Sequence, residues 1–173
     1  IPRNKFTVIT GLSGSGKTSV AAACERILGS EGRAAYLLDG DNLRDRLNSD
    51  LGFSPEDRYE NIRRVSEVAC LFSDAGMISL VSLISPFIRD RESARSAHEE
   101  IGIPFFEVFI DTPIEVCEMR DAKGLYVKAR AGELTDFPGV NSPYESPEFP
   151  DFVVQPDDGN PTTIATKVLK VLL

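Results

Sequence analysis

Eight residues, Gly11-Leu12-Ser13-Gly14-Ser15-Gly16-Lys17-Thr18, have the types and spacing to hold a polyphosphate. They match G-x-x-x-x-G-K-[ST], the phosphate-binding loop of nucleoside-triphosphate enzymes. Glycine lets the backbone curl until its N–H groups point inward at phosphate oxygens. Lys17 would put a positive charge on the β- and γ-phosphates, and Thr18 would be the protein's ligand to magnesium. A helix starting at the end of the loop adds partial positive charge. A second group is Asp39-Gly40-Asp41-Asn42. A carboxylate there can take the proton of an attacking hydroxyl or order magnesium waters. The competing role for Asp41 is to cap a helix over Asn42-Leu43-Arg44.

Those residues need elements to bring them together. Apolar patterning predicts strands at 6–10, 34–38, 77–83, 105–110 and 152–154. Helices are expected at 19–28, from Pro55 to about Asp74, at 89–99, after Thr112-Pro113 with Thr112 as cap, and from Asn160-Pro161 to the end. Strands alternating with helices predict one α/β domain over residues 1–173. The expected architecture is a three-layer P-loop nucleotide kinase fold with a five-stranded parallel sheet. Sites in such sheets lie beyond the carboxyl ends of the strands, where both motifs fall. From about 123 to 150, Gly, Pro, Ser and acidic residues are frequent and apolar periodicity fades. That stretch is expected to be a C-terminal lid segment, mobile without substrate.

A net charge of −8 argues against a nucleic-acid partner. Two arginine groups stand out against it: Arg44, Arg46, Arg58, Arg63 and Arg64, then Arg89, Arg91 and Arg95. They suggest pockets for small anions, with surface ion pairs to Asp57, Glu60 and Glu67 as the alternative. No apolar run is long enough to span a membrane, so no membrane partner is expected. Cys24, Cys70 and Cys117 have no metal or redox spacing and read as reduced core residues. The single histidine, His98, is expected at the surface. No signal or transit pattern is read at the start. An intracellular, cytoplasmic location is expected, and Ile1 in place of Met suggests a domain cut from a longer chain.

A phosphate-binding loop leaves kinases, GTPases and motor ATPases open. There is no N-K-x-D guanine motif, and the third strand runs into Ser85-Pro86 rather than an aspartate. The pattern suits transfer to a small alcohol. Longer motifs narrow it further. Asp39 to Arg44, Leu51-Gly52-Phe53-Ser54, Asp57 to Arg64, Asp74-Ala75-Gly76, Ile84-Ser85-Pro86 and Arg120 to Tyr126 together resemble the adenylylsulfate (APS) kinase family. The likeness runs from about Thr7 to the C-terminus in the family's order and spacing.

The resemblance implies that ATP and adenosine 5′-phosphosulfate give ADP and 3′-phosphoadenosine 5′-phosphosulfate (PAPS), with Mg2+ as cofactor. It makes Asp41 the base for the ribose 3′-hydroxyl and Asp39 a support for the metal, with Thr18 as metal ligand. Gly14, Ser15, Gly16, Lys17, Thr18, Ser19, Lys123 and Gly159 would bind ATP. Arg44, Arg58 and Asn61 would hold the acceptor's phosphosulfate and ribose, where an arginine fork suits oxyanions. Phe53 would stack on the adenine and Phe137 would cover it, while Ile84 and Ser85 would offer main-chain contacts. Arg120 and Arg130 are further candidates for neutralising phosphate. A homodimer, and fusion to or association with an ATP sulfurylase, are also implied.

Three positions depart from the family pattern. Phe137-Pro138-Gly139 stands where Phe-Thr-Gly is usual, so Pro138 offers the acceptor neither N–H nor hydroxyl. Asp45-Arg46 follows Arg44 in place of an uncharged or histidine-glycine pair. Leu83 stands for phenylalanine beside Ile84. Two alternatives remain. A gluconate- or shikimate-type kinase would share the loop but needs no base-stacking ring. A non-catalytic PAPS-sensing domain would be expected to have lost Lys17 and Thr18.

Overall fold

The computed structural model describes residues 4–173. Five strands, β1 (Phe6–Thr10), β2 (Ala35–Asp39), β3 (Ile78–Ser82), β4 (Phe105–Ile110) and β5 (Phe152–Val154), form one parallel sheet in the order β2-β3-β1-β4-β5. β1 and β3 are buried along their whole length, as central strands covered on both faces must be. Register sets the carboxyl ends side by side. Asp39 pairs with Ser82, and Thr10, where the phosphate loop begins, pairs with Phe109.

Helices α1 (Lys17–Ser30) and α7 (Pro161–Leu172) cover one face of the sheet. Val20, Cys24 and Leu28 pack there with Val168 and Leu172 over Ile9 and Val108. Helices α3 (Pro55–Asp74) and α4 (Ile88–Glu100) cover the other face, where Ile62, Val65, Ala69 and Ala94 meet Phe6, Val8 and Val81. Two of the expected helix starts carry side-chain caps. Ser54 Oγ accepts from the Asp57 amide at 3.1 Å and Asn160 Oδ1 from the Thr163 amide at 2.9 Å, each just before a proline at the first turn.

Several expectations are corrected. Thr112 does not cap a helix. Pro113 precedes α5 (Ile114–Arg120), and Thr112 Oγ1 instead donates to the Ser15 carbonyl at 3.1 Å. His98 is buried rather than exposed, its ring centroid 4.1 Å from that of Phe6 and Nδ1 2.7 Å from the Ala94 carbonyl. Burial lowers its pKa, which favours the neutral ring. α4 looks polar in sequence, yet it lays one polar face onto the sheet. Cys24 and Cys117 are buried and Cys70 half-buried, all three unbonded to one another.

Residues 123–150 hold more structure than their composition suggests. A short helix, α6 (Leu125–Arg130), is followed by a strap that folds onto it. Cys117, Tyr126, Ala129 and Phe137 make a separate small core, flanked by Leu12, Ile114, Leu134 and Val140. The apolar residues come from three separated segments, so no local period reveals them. Gly139, at φ 89, lies where a Cβ would come within 2.9 Å of Ile114 Cδ1 and 3.0 Å of Leu12 Cδ2. No helix among the described residues is long and apolar enough to cross a membrane.

Candidate active site

One cleft of about 750 Å³ lies at the carboxyl ends of the strands. Every residue expected to bind ATP or the acceptor lines it, and of the two further phosphate candidates only Arg120 does. On one side are Gly14, Ser15, Gly16, Lys17, Thr18 and Ser19, with Lys123 and Gly159; on the other are Arg44, Phe53, Arg58, Asn61, Ile84, Ser85, Phe137 and Pro138. Asp39, at the end of β2, and Asp41, in the helix that follows, line the cleft too.

The phosphate side follows from loop geometry. Gly16 precedes α1 at φ 105, a left-handed conformation that disfavours any side chain, and no side chain caps the helix. The first-turn amides therefore face the cleft as anion donors. Ser15 Oγ is buried with no hydrogen-bond partner among the described residues. Lys17 is 8% exposed and its Nζ donates to the Leu12 carbonyl at 2.7 Å. Burial pushes its pKa down to about 8, against opposing pulls from Cys117 and Asp41. Nucleotide phosphates would raise it again. Binding of an ATP analogue is thus expected to take up a proton above pH 8, and affinity to fall as pH rises from 7 to 9. Calorimetry in buffers of different ionisation enthalpy measures this, and uptake absent at pH 8.5 would count against Lys17 as the phosphate cation.

The two aspartates have different jobs. Asp39 is the N-cap of α2 (Gly40–Arg44): its Oδ1 accepts from the amides of Asp41, at 3.1 Å, and Asn42, at 3.4 Å. Its Oδ2 accepts from Thr18 Oγ1 at 2.7 Å. The capping role considered for Asp41 therefore belongs to Asp39. Gly40 fits closely here: a Cβ would lie 2.7 Å from Leu83 Cδ2 and 3.1 Å from the Ser82 carbonyl. Asp41 projects from the first turn with its carboxylate 67% exposed and pairs with Lys123 Nζ across the cleft. It is the carboxylate at liberty to meet a hydroxyl.

The opposite wall presents cations and a ring. Arg44 NH1 donates to the Gly52 carbonyl at 2.8 Å, and its guanidinium lies 4.3 Å from the Phe53 centroid. Arg58 donates to the carbonyls of Phe53, at 3.1 Å, and Asp136, at 2.7 Å. Burial and the neighbouring Arg44 lower its pKa to about 10. Asn61 Oδ1 accepts from Asn48 Nδ2 at 3.0 Å, which turns its own amide nitrogen to donation. Phe53 is 54% exposed, so it is no core residue. Phe137 is only 8% exposed and packs edge-on against Tyr126. It shows the cleft an edge of the strap's core.

Two readings of the arginines separate here. Arg63 and Arg64 make surface ion pairs with Glu60 and Asp50. Arg130 pairs with Glu118 and does not line the cleft, whereas Arg120 does, with NH1 3.2 Å from the Gly14 carbonyl. Arg91 and Arg95 are no anion pocket: they turn inward to Glu107, and Arg95 also to Asp151. The carbonyls of Ile84 and Ser85 accept from Thr10 Oγ1 and Arg91 NH1, each at 2.6 Å. Their amides and remaining lone pairs are what a ligand could use. Tyr126 and Gln155 also line the cleft and were not foreseen.

This geometry has close parallels. The profile of a family described as adenylylsulphate kinase matches residues 3–155. An adenylyl-sulfate kinase of Clostridium acetobutylicum is 62% identical over 146 residues, 84% of this chain and 72% of that protein. The bifunctional enzyme CysN/CysC of Mycobacterium tuberculosis is 58% identical over 156 residues, 90% of this chain. The match spans only 25% of that relative's length. The solved structure of the M. tuberculosis APS kinase CysC with AMPPNP and APS superposes with a TM-score of 0.97 at 54% identity, covering 99% of both chains.

Proposed function

The chain belongs to the adenylylsulphate kinase family, and on that premise we propose that it transfers the γ-phosphate of ATP to the ribose 3′-hydroxyl of adenosine 5′-phosphosulfate. The observation that carries this reading is the exposed carboxylate of Asp41, lining one cleft with an intact phosphate loop and with Arg44, Phe53 and Arg58.

Each side of the cleft then has a task. The loop amides and Lys17 bind the β- and γ-phosphates and offset charge as the phosphoryl group moves. Asp41 takes the proton from the attacking 3′-hydroxyl, whose oxygen bonds to the γ-phosphorus as the bond from that phosphorus to the bridging oxygen breaks and ADP leaves. Arg44 and Arg58 hold the acceptor's anionic groups, Asn61 donates to its ribose, and Phe53 offers a face to its adenine. Lys123 shields Asp41 until an anion competes for its ammonium. Ser85, Pro138 and Gly159 complete the walls.

The hydroxyl of Thr18, with Asp39 Oδ2 at 2.7 Å and Ser82 Oγ at 3.2 Å, forms a cluster of hard oxygen atoms beside the loop. It suits Mg2+, which takes few protein ligands and keeps phosphates and waters. Thr18 would hold the ion and Asp39 would orient Thr18. Bound magnesium would neutralise charge on the β- and γ-phosphates.

The aromatic wall separates this reading from a sugar or hydroxy-acid kinase, which has no base to stack. Intact Lys17 and Thr18 favour catalysis over sensing. The bifunctional relative supports reading this chain as a kinase module that also serves in fused enzymes. ADP release with ATP, magnesium and adenylylsulfate tests the proposal, with gluconate and shikimate as control acceptors. Turnover with adenylylsulfate alone is expected, and turnover only with a control acceptor refutes it. In the same assay Phe53→Ala is expected to weaken adenylylsulfate by roughly 1–3 kcal/mol, the worth of one base–aromatic stack. The KM for ATP is expected to stay unchanged; a shift in it alone would mean that Phe53 serves the nucleotide side.

A further inference from the structure

The acceptor wall rests on a buried arginine that phosphate chemistry leaves unused. Arg91, in α4, is 1% exposed. Its Nε donates to Glu107 Oε1 in β4 at 2.6 Å, NH1 to the Ser85 carbonyl at 2.6 Å and NH2 to the Glu145 carbonyl at 2.7 Å. One planar fork thus joins a central strand, the turn that lines the cleft and the outgoing leg of the strap. A lysine has a single nitrogen and cannot reproduce that arrangement.

The turn it holds is strained. Ser85 sits at φ 43, in the left-handed region. A residue other than glycine stays there only where its surroundings over-determine it. Here they do. Thr10 Oγ1 donates to the neighbouring Ile84 carbonyl and lies 2.9 Å from the Tyr144 hydroxyl. The Glu145 amide donates to the Pro86 carbonyl at 2.7 Å, and Glu145 Oε2 accepts from the Ile88 amide at 2.7 Å. The incoming leg of the strap meets the acceptor wall separately, where the Asp136 carbonyl accepts from Arg58.

Simple core stability explains the bond to Glu107. It does not explain why the other two donors both end on backbone of the cleft turn and the strap. We propose that Arg91 is a positioning residue for the acceptor. It holds the Ser85 backbone in its left-handed turn and locks the strap's outgoing leg to that turn, so the acceptor wall is built before adenylylsulfate arrives. The choice of acceptor rests on the kinase reading above; the clamp itself does not.

Arg91→Lys keeps the charge opposite Glu107 but loses the fork. Glu107→Gln breaks the ion pair but leaves an oxygen for Nε and both carbonyl bonds. Arg91→Lys is expected to raise the KM for adenylylsulfate roughly 10- to 100-fold, as small misplacements of a substrate do, with the KM for ATP within about twofold. Amide hydrogen exchange at residues 84–88 and 144–146 is expected to speed up in that variant. Glu107→Gln is expected to lower the thermal midpoint while leaving the KM for adenylylsulfate and that exchange near wild type. If Arg91→Lys fails to fold, the charge-neutral pair Arg91→Gln/Glu107→Gln takes its place with the same readouts. An unchanged KM and unchanged exchange in the arginine variant overturn the proposal. So does a KM increase shared equally by Glu107→Gln, which would mark a loss of general stability. Wild-type protein inactive toward adenylylsulfate would sink the kinase reading alone, and exchange at 84–88 would still decide the clamp.

Discussion

Lys17→Ala is expected to lower phosphoryl transfer roughly 10³- to 10⁵-fold, the range that follows loss of a cation on the transferring group. The ammonium has little other work. It is 8% exposed, bonds only the Leu12 carbonyl among the described residues, and is held by burial at a pKa of about 8. A cation whose charged form burial disfavours adds nothing to folding, so its removal is expected to leave the thermal midpoint unchanged or raised. Loss of function with gain of stability is the mark of a residue kept for chemistry. Single-turnover ADP formation beside a melting curve makes the test. Near-wild-type turnover would remove Lys17 from the phosphate site, and a collapse in melting temperature would make it structural.

Asp41→Asn is expected to cut kcat by roughly 10²- to 10⁴-fold, the usual cost of a lost general base. Size, shape and the helix position are kept, so affinity for both nucleotides is expected to change little. The comparison variant is Asp39→Asn. Asp39 caps α2 and accepts from Thr18, so its loss is expected to lower stability and raise the magnesium requirement along with kcat. A larger fall in kcat from Asp39→Asn, with stability and magnesium dependence unchanged, would transfer the role of base to Asp39.

Much of this site was legible in the sequence because its parts are local. The phosphate loop occupies eight consecutive residues between a strand and a helix, and backbone geometry at Gly16 follows from residue type. Ser54-Pro55 and Asn160-Pro161 mark helix starts through hydrogen bonds that reach three residues. Even Phe53, Arg58 and Asn61, whose roles came from family likeness, sit on one turn and the helix it leads into.

Other features depend on contacts between distant segments, and residue type alone predicts them poorly. His98 and Arg91 lie on a helix that reads as a solvated surface, yet both are buried. His98 is placed by Phe6 and Phe105, and Arg91 by Glu107 and two carbonyls from separate loops. The strap's core gathers Leu12, Cys117, Tyr126 and Phe137 from along more than a hundred residues of chain, which leaves no period to read. The family resemblance pointed to Asp41 as base and Asp39 as metal support, but only the fold moved the helix cap from Asp41 to Asp39, where two amides and Thr18 bond its carboxylate. Short-range preferences set the loop, the caps and the strands of this protein. Tertiary packing decided which charged side chains were taken from water and tied to backbone, since that placement is stable only when every partner is in position.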